Sequence, residues 1–391
     1  MSGDQDRRPR VAVVAMGDLG RSRRMLGHAC ELAASGWRVD LIGYRDTRPP
    51  SWLDVTVRVR HVPSFESVRG RRGVASLLAL ALVRQLLLAA GLGRVLLSRF
   101  DAFLVQVPPA FPALPLALIA ARARGARVVI DWHNTTEAML RLRIGRGLLA
   151  DRVARACGKL ELRLARRADA HLCATADLAG FLAARGIDAR VLPDAVDADP
   201  GGTMRGDPST IVCPSSWSED DDLDLFLRSI RLLESKLASK DLRARFIFSG
   251  RGERRAWFEA RVASLRLDRV RIETAFVPPD DYPALLREAA LGLSLHRSAA
   301  GLDLPLKIVE LLASGTPVCA LDSGPAIRAR IRERETGTLF SSPEGLADAV
   351  ASLLDPANPV LETMRERVRN APRESRATAW RRVAGPIFGN P

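Results

Sequence analysis

At 391 residues, with 47% hydrophobic side chains, the chain is too long for one ordinary core and is read as two domains. The formal net charge of +14 gives a surface that attracts anions such as phosphates and acidic lipid headgroups. Aromatic content of only 5%, with no recognised nucleic-acid motif, argues against nucleic acid as the partner. Five scattered cysteines (Cys30, Cys157, Cys173, Cys213 and Cys319) lack C-x-x-C spacing, which argues against a disulfide frame or zinc site and for a cytoplasmic compartment. The polar Met1 to Arg10 does not read as a secretory signal, and no run of about 18 uncharged apolar residues suggests a membrane span. The weight of Arg, Ala and Leu is what a GC-rich bacterial genome produces.

In chain order, Val11 to Ala15 predicts a strand, Arg21 to Ser35 a helix and Val39 to Gly43 a second strand. Between the first two, Gly17-Asp18-Leu19-Gly20 opens the helix, where backbone could approach a diphosphate, with Arg21, Arg23 and Arg24 adding charge. It falls short of a full G-x-G-x-x-G fingerprint, so hydride transfer is not indicated. The apolar segment from Val74 to Leu97, broken by Arg84 and Gln85 and preceded by Arg69, Arg71 and Arg72, reads as an interfacial helix on anionic lipid or as a buried crossover helix. Strand-like runs follow at Phe103 to Val107, Val128 to Ile130 and Ala170 to Cys173. Asp131-Trp132-His133-Asn134 ends one of them, where catalytic side chains of α/β folds emerge. Arg141 to Arg167 carries nine basic and two acidic residues on helical sequence, suited to an anionic membrane or to a solvated face.

Pro193 to Pro208, rich in Pro, Gly and Asp, reads as a linker. Beyond it, strand-like runs at Ile211 to Cys213, Phe246 to Phe248, Val270 to Ile272, Leu291 to Leu295 and Val318 to Leu321 alternate with helices. Each half therefore predicts a doubly wound parallel sheet, with ligands beyond the carboxyl ends of its strands. Ser215 to Asp222 places four acids at a helix start, read as caps, with Ser215 and Ser216 offering backbone contacts to a donor. Arg251, in Gly250-Arg251-Gly252, follows a strand and is a candidate for a diphosphate; His296 follows another.

The strongest local signal is Gly301-Leu302-Asp303-Leu304-Pro305-Leu306-Lys307-Ile308-Val309-Glu310. A helix opening near Asp303 or Leu304, with Pro305 in its first turn, predicts unpaired N–H groups at Gly301, Leu302 and Asp303 that favour phosphate. Lys307 and Glu310, three residues apart, share a face: the lysine neutralises phosphate and the carboxylate accepts from ribose hydroxyls, or the two form an ordinary ion pair.

Four passages, Gly17 to Met25, Asp131 to Asn134, Ser215 to Asp220 and Leu295 to Lys307, together resemble the chitobiosyldiphosphodolichol β-mannosyltransferases. The resemblance spans both halves in order. It implies a GT-B fold, two Rossmann-like doubly wound domains facing across a cleft: an acceptor-binding domain (1–195), a linker (196–208), a nucleotide-sugar domain (209–372) and a C-terminal helix (373–391) returning to the first. The implied activity is inverting transfer of mannose from GDP-mannose, with no metal or cofactor, to a lipid-diphosphate-linked or polysaccharide-precursor acceptor at an anionic membrane surface. Alternatives are a UDP-sugar transferase of capsule or exopolysaccharide synthesis, and a nucleotide-sugar epimerase. The wider superfamily's Glu-x7-Glu pattern would put its first acid at Leu302, and Asp303 is displaced by one. By resemblance, Gly17, Gly20, Arg21 and Arg24 lie on the acceptor side. An inverting transfer needs a base for the acceptor hydroxyl, for which His133 and Asp18 are the candidates. Eukaryotic members of that family carry an N-terminal membrane anchor, which is not read here.

Overall fold

The computed structural model describes residues 8–44, 47–48, 50–62, 86, 88–96, 98–144, 147–197, 206–298 and 300–389, without the side chains of Arg21 and of residues 142–144. Most of the segment 74–97 and residues 198–205 of the expected linker lie outside the described residues. The chain forms two compact units, Met1–Pro193 with Arg376–Pro391, and Asp194–Ser375.

In the first unit, β1 (Arg10–Asp18), β2 (Arg38–Tyr44), β3 (Arg58–His61), β4 (Ala102–Val107), β5 (Arg127–Trp132), β6 (Ala170–Cys173) and β7 (Ala189–Val191) pair in parallel, in the order β3-β2-β1-β4-β5-β6-β7. Val11 to Ala15 are fully buried, as a parallel strand covered on both faces requires. Three helices bear on the site: α1 (Arg23–Ala34), α2 (Thr136–Ile144) and α3 (Leu148–Ala165). The helix expected from Arg21 starts later, because a 3-10 turn at Leu19–Arg21, capped by Asp18, precedes α1.

In the second unit, β8 (Thr210–Pro214), β9 (Ala244–Ser249), β10 (Val270–Ala275), β11 (Leu291–Ser294), β12 (Val318–Leu321) and β13 (Gly337–Phe340) form a parallel sheet in the order β10-β9-β8-β11-β12-β13. Alternation along β8 sends Ile211 and Cys213 into an aromatic cluster of Trp217, Phe226, Phe246, Phe248 and Phe258, and Val212 into an aliphatic one with Leu311 and Val318. Helix α4 (Leu223–Ser239) follows β8, and α5 (Leu306–Ala313) follows β11. Pro305 is the N-cap of α5 rather than a first-turn residue, so the helix begins two to three residues later than expected.

The C-terminal segment belongs to the first unit, where α6 (Arg376–Val383) puts Ala379, Trp380 and Val383 into the core beside Met25 and Leu26. All five cysteines are free. Strand order reverses between β1 and β4 and again between β8 and β11, which makes the carboxyl ends of these strands the places where ligands of open α/β sheets bind.

Candidate active site

In the first unit the site is organised around Asp131, the penultimate residue of β5, whose carboxylate is fully buried. Arg24 of α1 grips it with two bonds, Nη2 to Oδ1 at 2.7 Å and Nε to Oδ2 at 2.8 Å, and donates a third to the Leu192 carbonyl at 2.9 Å. His133 Nε2 lies 2.8 Å and His28 Nε2 3.2 Å from Oδ2. Burial alone would push the Asp131 carboxyl up, but the Arg24 guanidinium and the two imidazoles together hold it well below the usual carboxylate range.

These contacts fix both tautomers. Trp380 on α6 donates its indole N–H to His28 Nδ1 at 3.2 Å, so the proton of His28 sits on Nε2 and points at Asp131. Burial pushes the pKa of His28 down, against the pull of Asp131, and keeps the ring neutral. An ionised Asp131 can only accept, so His133 also donates from Nε2 and carries its lone pair on Nδ1. The His133 side chain is 29% exposed. A partly exposed imidazole oriented by a buried carboxylate can take a proton from a hydroxyl.

The other residues expected on the acceptor side differ in role. Asp18 Oδ1 accepts from the N–H groups of Gly20 at 3.3 Å and Thr47 at 2.9 Å, so this carboxylate caps the turn. Gly20 is required by close approach, since a Cβ there would lie 2.6 Å from the Thr47 carbonyl oxygen, whereas a Cβ at Gly17 would meet only Ser22 Oγ, at 3.8 Å. Arg24, expected on the acceptor side, pairs with Asp131, and the Arg21 side chain lies outside the described residues. Beyond His133, Glu161 of α3 accepts from the Thr136 backbone N–H at 2.9 Å and from its hydroxyl, capping α2. Burial pushes the Glu161 carboxyl up to about 7, against the Thr136 bonds.

In the second unit the loops after β8 and β11 meet through a bridge between Asp221 and His296. Asp221, only 1% exposed, receives Ser215 Oγ at 2.9 Å, the Ser216 N–H at 2.8 Å, Ser216 Oγ at 2.9 Å and Lys307 Nζ at 2.6 Å. Burial opposes ionisation, yet Lys307 and the Ser216 bonds bring the Asp221 carboxyl down to about 2. Lys307 therefore pairs across loops rather than with Glu310, and Ser215 and Ser216 have their hydroxyls turned toward Asp221. Among the acids read as caps, Asp222 is one, accepting from the Leu225 N–H at 2.9 Å, while Asp221 is not.

His296 Nε2 lies 2.8 Å from Asp303 Oδ2, and Ser298 donates to the other oxygen of the same carboxylate. Burial resists, but the His296 contact draws the Asp303 pKa down. Asp303 thus orients a histidine, a second Asp–His pair to set beside the one in the first unit. The Gly301 N–H is taken by Ser298 Oγ at 2.8 Å, so it is not the free phosphate donor expected, and the unpaired first-turn donors of α5 fall instead at Leu306 and Lys307. Gly301 (φ +70) packs against Gly324, where a Cβ would lie 2.4 Å from Gly301 Cα. Beside them Ser323 Oγ is buried with no hydrogen-bond partner among the described residues. Glu310, 7% exposed, accepts from Tyr282 OH at 3.3 Å, and the Arg251 guanidinium stacks over Phe276 at 3.5 Å. Asp221, His28 and Trp380 were not singled out by the sequence reading as site residues, and no local pattern marks them.

Residues 208–356 match the family described as glycosyl transferases group 1, and residues 20–194 match the glycosyl transferase 4-like domain. The chain is 30% identical over 370 residues to the chitobiosyldiphosphodolichol beta-mannosyltransferase of Eremothecium gossypii, covering 85% of this chain and 76% of that one. It is also 30% identical over 419 residues to the enzyme of the same name from Yarrowia lipolytica, covering 98% and 87%. Among solved structures, Anabaena HepE in complex with UDP-glucose superposes with a TM-score of 0.70 at 15% identity, covering 97% of this chain and 99% of that one. At that identity the likeness concerns the fold. The chain belongs to the chitobiosyldiphosphodolichol beta-mannosyltransferase family and is a glycosyltransferase of the GT-B fold.

Proposed function

We propose that the chain transfers mannose from GDP-mannose, with inversion, to a sugar hydroxyl of a lipid-diphosphate-linked saccharide, with His133 as general base. The observation that carries this reading is the Asp131–His133 pair at 2.8 Å, because it leaves Nδ1 of a partly exposed imidazole as an acceptor. His133 Nδ1 takes the proton of the acceptor hydroxyl as its oxygen bonds to the anomeric carbon. The bond from that carbon to the phosphate oxygen breaks, and its electron pair leaves on the nucleoside diphosphate. Asp131 stabilises the imidazolium that forms.

Donor binding falls to the second unit. The first-turn N–H groups of α5 and the charge of Lys307 favour the diphosphate, and Glu310 is assigned to the ribose hydroxyls. His296, held by Asp303, is assigned to the donor sugar or its phosphate. Stabilisation of the leaving group by fixed dipoles and a basic side chain needs no metal ion. The lipid-linked acceptor is supported by what the Eremothecium and Yarrowia relatives are named for. It also implies work at a membrane surface, in keeping with the net charge of +14. Among the described residues no helix is long and apolar enough to cross a membrane.

Calorimetry with GDP-mannose, UDP-glucose and UDP-GlcNAc, without added metal, tests the donor. Selective binding of GDP-mannose supports the proposal, and selective binding of a UDP-sugar overturns the donor assignment. For the base, His133→Ala is expected to keep donor affinity and lose about 10² to 10⁴ of turnover. An unchanged rate in that variant contradicts the assignment of His133.

A further inference from the structure

The outer face of α3 has a composition that neither catalysis nor packing uses. Its inner face buries Ala154, Gly158, Glu161 and Ala165. On the opposite side Leu148 is 83%, Leu149 75%, Val153 43% and Leu160 47% exposed, an unusual set of large apolar side chains to leave in water on one helix. Leu149, Val153, Ala156 and Leu160 follow at intervals of four, three and four, so they form one strip along the helix. Arg152, Arg155, Lys159 and Arg163 are exposed beside it, and these four have no acidic partner among the described residues. An apolar strip flanked by a basic one is the pattern of a helix lying in the plane of a bilayer surface.

We infer that α3 is the docking face of this protein on an anionic bilayer, with Leu149, Val153 and Leu160 entering the headgroup region and Arg152, Lys159 and Arg163 meeting lipid phosphates. The inference deepens the membrane-surface element of the proposed function by naming the surface that meets lipid. Charge decides the occupant: a basic strip on a chain of net charge +14 selects an anionic lipid surface. The same helix is tied to the site, because Glu161 on its inner face accepts from the N–H of Thr136, three residues after His133. Docking through α3 therefore holds the loop that carries the base next to the surface where a lipid-linked acceptor resides.

Sedimentation of the full chain with phosphatidylcholine vesicles, with and without phosphatidylglycerol, is the test. Two variants alter only exposed positions: Leu149→Ser/Val153→Ser/Leu160→Ser and Arg152→Glu/Lys159→Glu/Arg163→Glu. A control, Arg228→Glu/Arg231→Glu, changes exposed basic residues on α4 of the other unit. The wild type and the control should partition onto the anionic vesicles. The charge-reversal variant should lose roughly a hundredfold or more in partition, at about a fivefold contribution per basic residue near such a surface. The serine variant should lose binding even at low salt, and donor affinity should be unchanged in both. Anionic-vesicle binding that survives both α3 variants overturns this face while leaving the membrane reading in place. Absence of binding by the wild type overturns both.

Discussion

Replacing Lys307 by methionine removes the counter-charge of a carboxylate that the fold has enclosed. Lys307 Nζ lies 2.6 Å from Asp221 Oδ1, with side chains 15% and 2% exposed. Breaking a buried pair from one side costs roughly 3–5 kcal/mol. Asp221 keeps the donors of Ser215 and Ser216, so the lower end, about 3 kcal/mol at pH 7, is expected. A second signature is in the acid limb. In the wild type the Asp221 pKa, about 2 against the ordinary 3.8 of a free carboxyl, corresponds to about 2 kcal/mol that is present above pH 3.8 and lost as pH falls toward 2. Without Lys307 only the bonds of Ser215 and Ser216 oppose burial, so the folded pKa rises and this contribution to the acid limb shrinks. Urea unfolding followed by circular dichroism from pH 3 to 8 reads both effects, as the difference between variant and wild type. The added change Asp221→Asn should recover part of the loss, because no unpaired charge is then left inside. A loss under about 1 kcal/mol, with a difference that is flat in pH, would refute the reasoning.

Three further outcomes are expected. Glu161, with a folded pKa raised from 4.5 to about 7, contributes stability that is full below pH 4.5 and lost as pH rises through 7, about 3 kcal/mol in all. Glu161→Gln should remove that slope from the stability profile, and a slope unchanged between pH 5 and 8 contradicts it. Trp380→Phe deletes the donor that sets the His28 tautomer, so it should cost about 1 kcal/mol of stability and lower kcat with little change in donor KM; unchanged kcat argues against coupling from α6 to His133. Gly324→Ala, at φ +143 and with its Cβ 2.4 Å from Gly301 Cα, should cost about 1–3 kcal/mol and weaken donor binding measured by calorimetry.

The strands legible in the sequence are those buried on both faces. Val11 to Ala15, Phe103 to Val107 and Leu291 to Leu295 are predominantly apolar runs, interrupted only by Gln106, Gly292 and Ser294, because helices cover both sides of each sheet. The strands that went unread, β3, β7 and β13, all lie at sheet edges. They are short and mostly only partly buried, as in Arg58–His61, so they carry no continuous apolar signal. The loops that hold the site were legible for a similar reason, since each follows a readable strand at its carboxyl end. Pairings across the chain were not. Asp221 looks like its capping neighbours until Lys307, 86 residues away, is seen beside it, and Trp380 meets His28 across 352 residues. The start of α5 was misplaced because Leu304-Pro305-Leu306 suits either a first turn or an extended cap.

The central claim is tested most directly by incubating the purified chain with GDP-mannose and a synthetic lipid-diphosphate chitobiose, without added metal, and determining the anomeric configuration of any product by NMR. The account predicts a β-linked mannose formed with release of GDP, and loss of that product in the His133→Ala variant with donor binding intact. An α-linked product, or transfer from UDP-sugars alone, would contradict it.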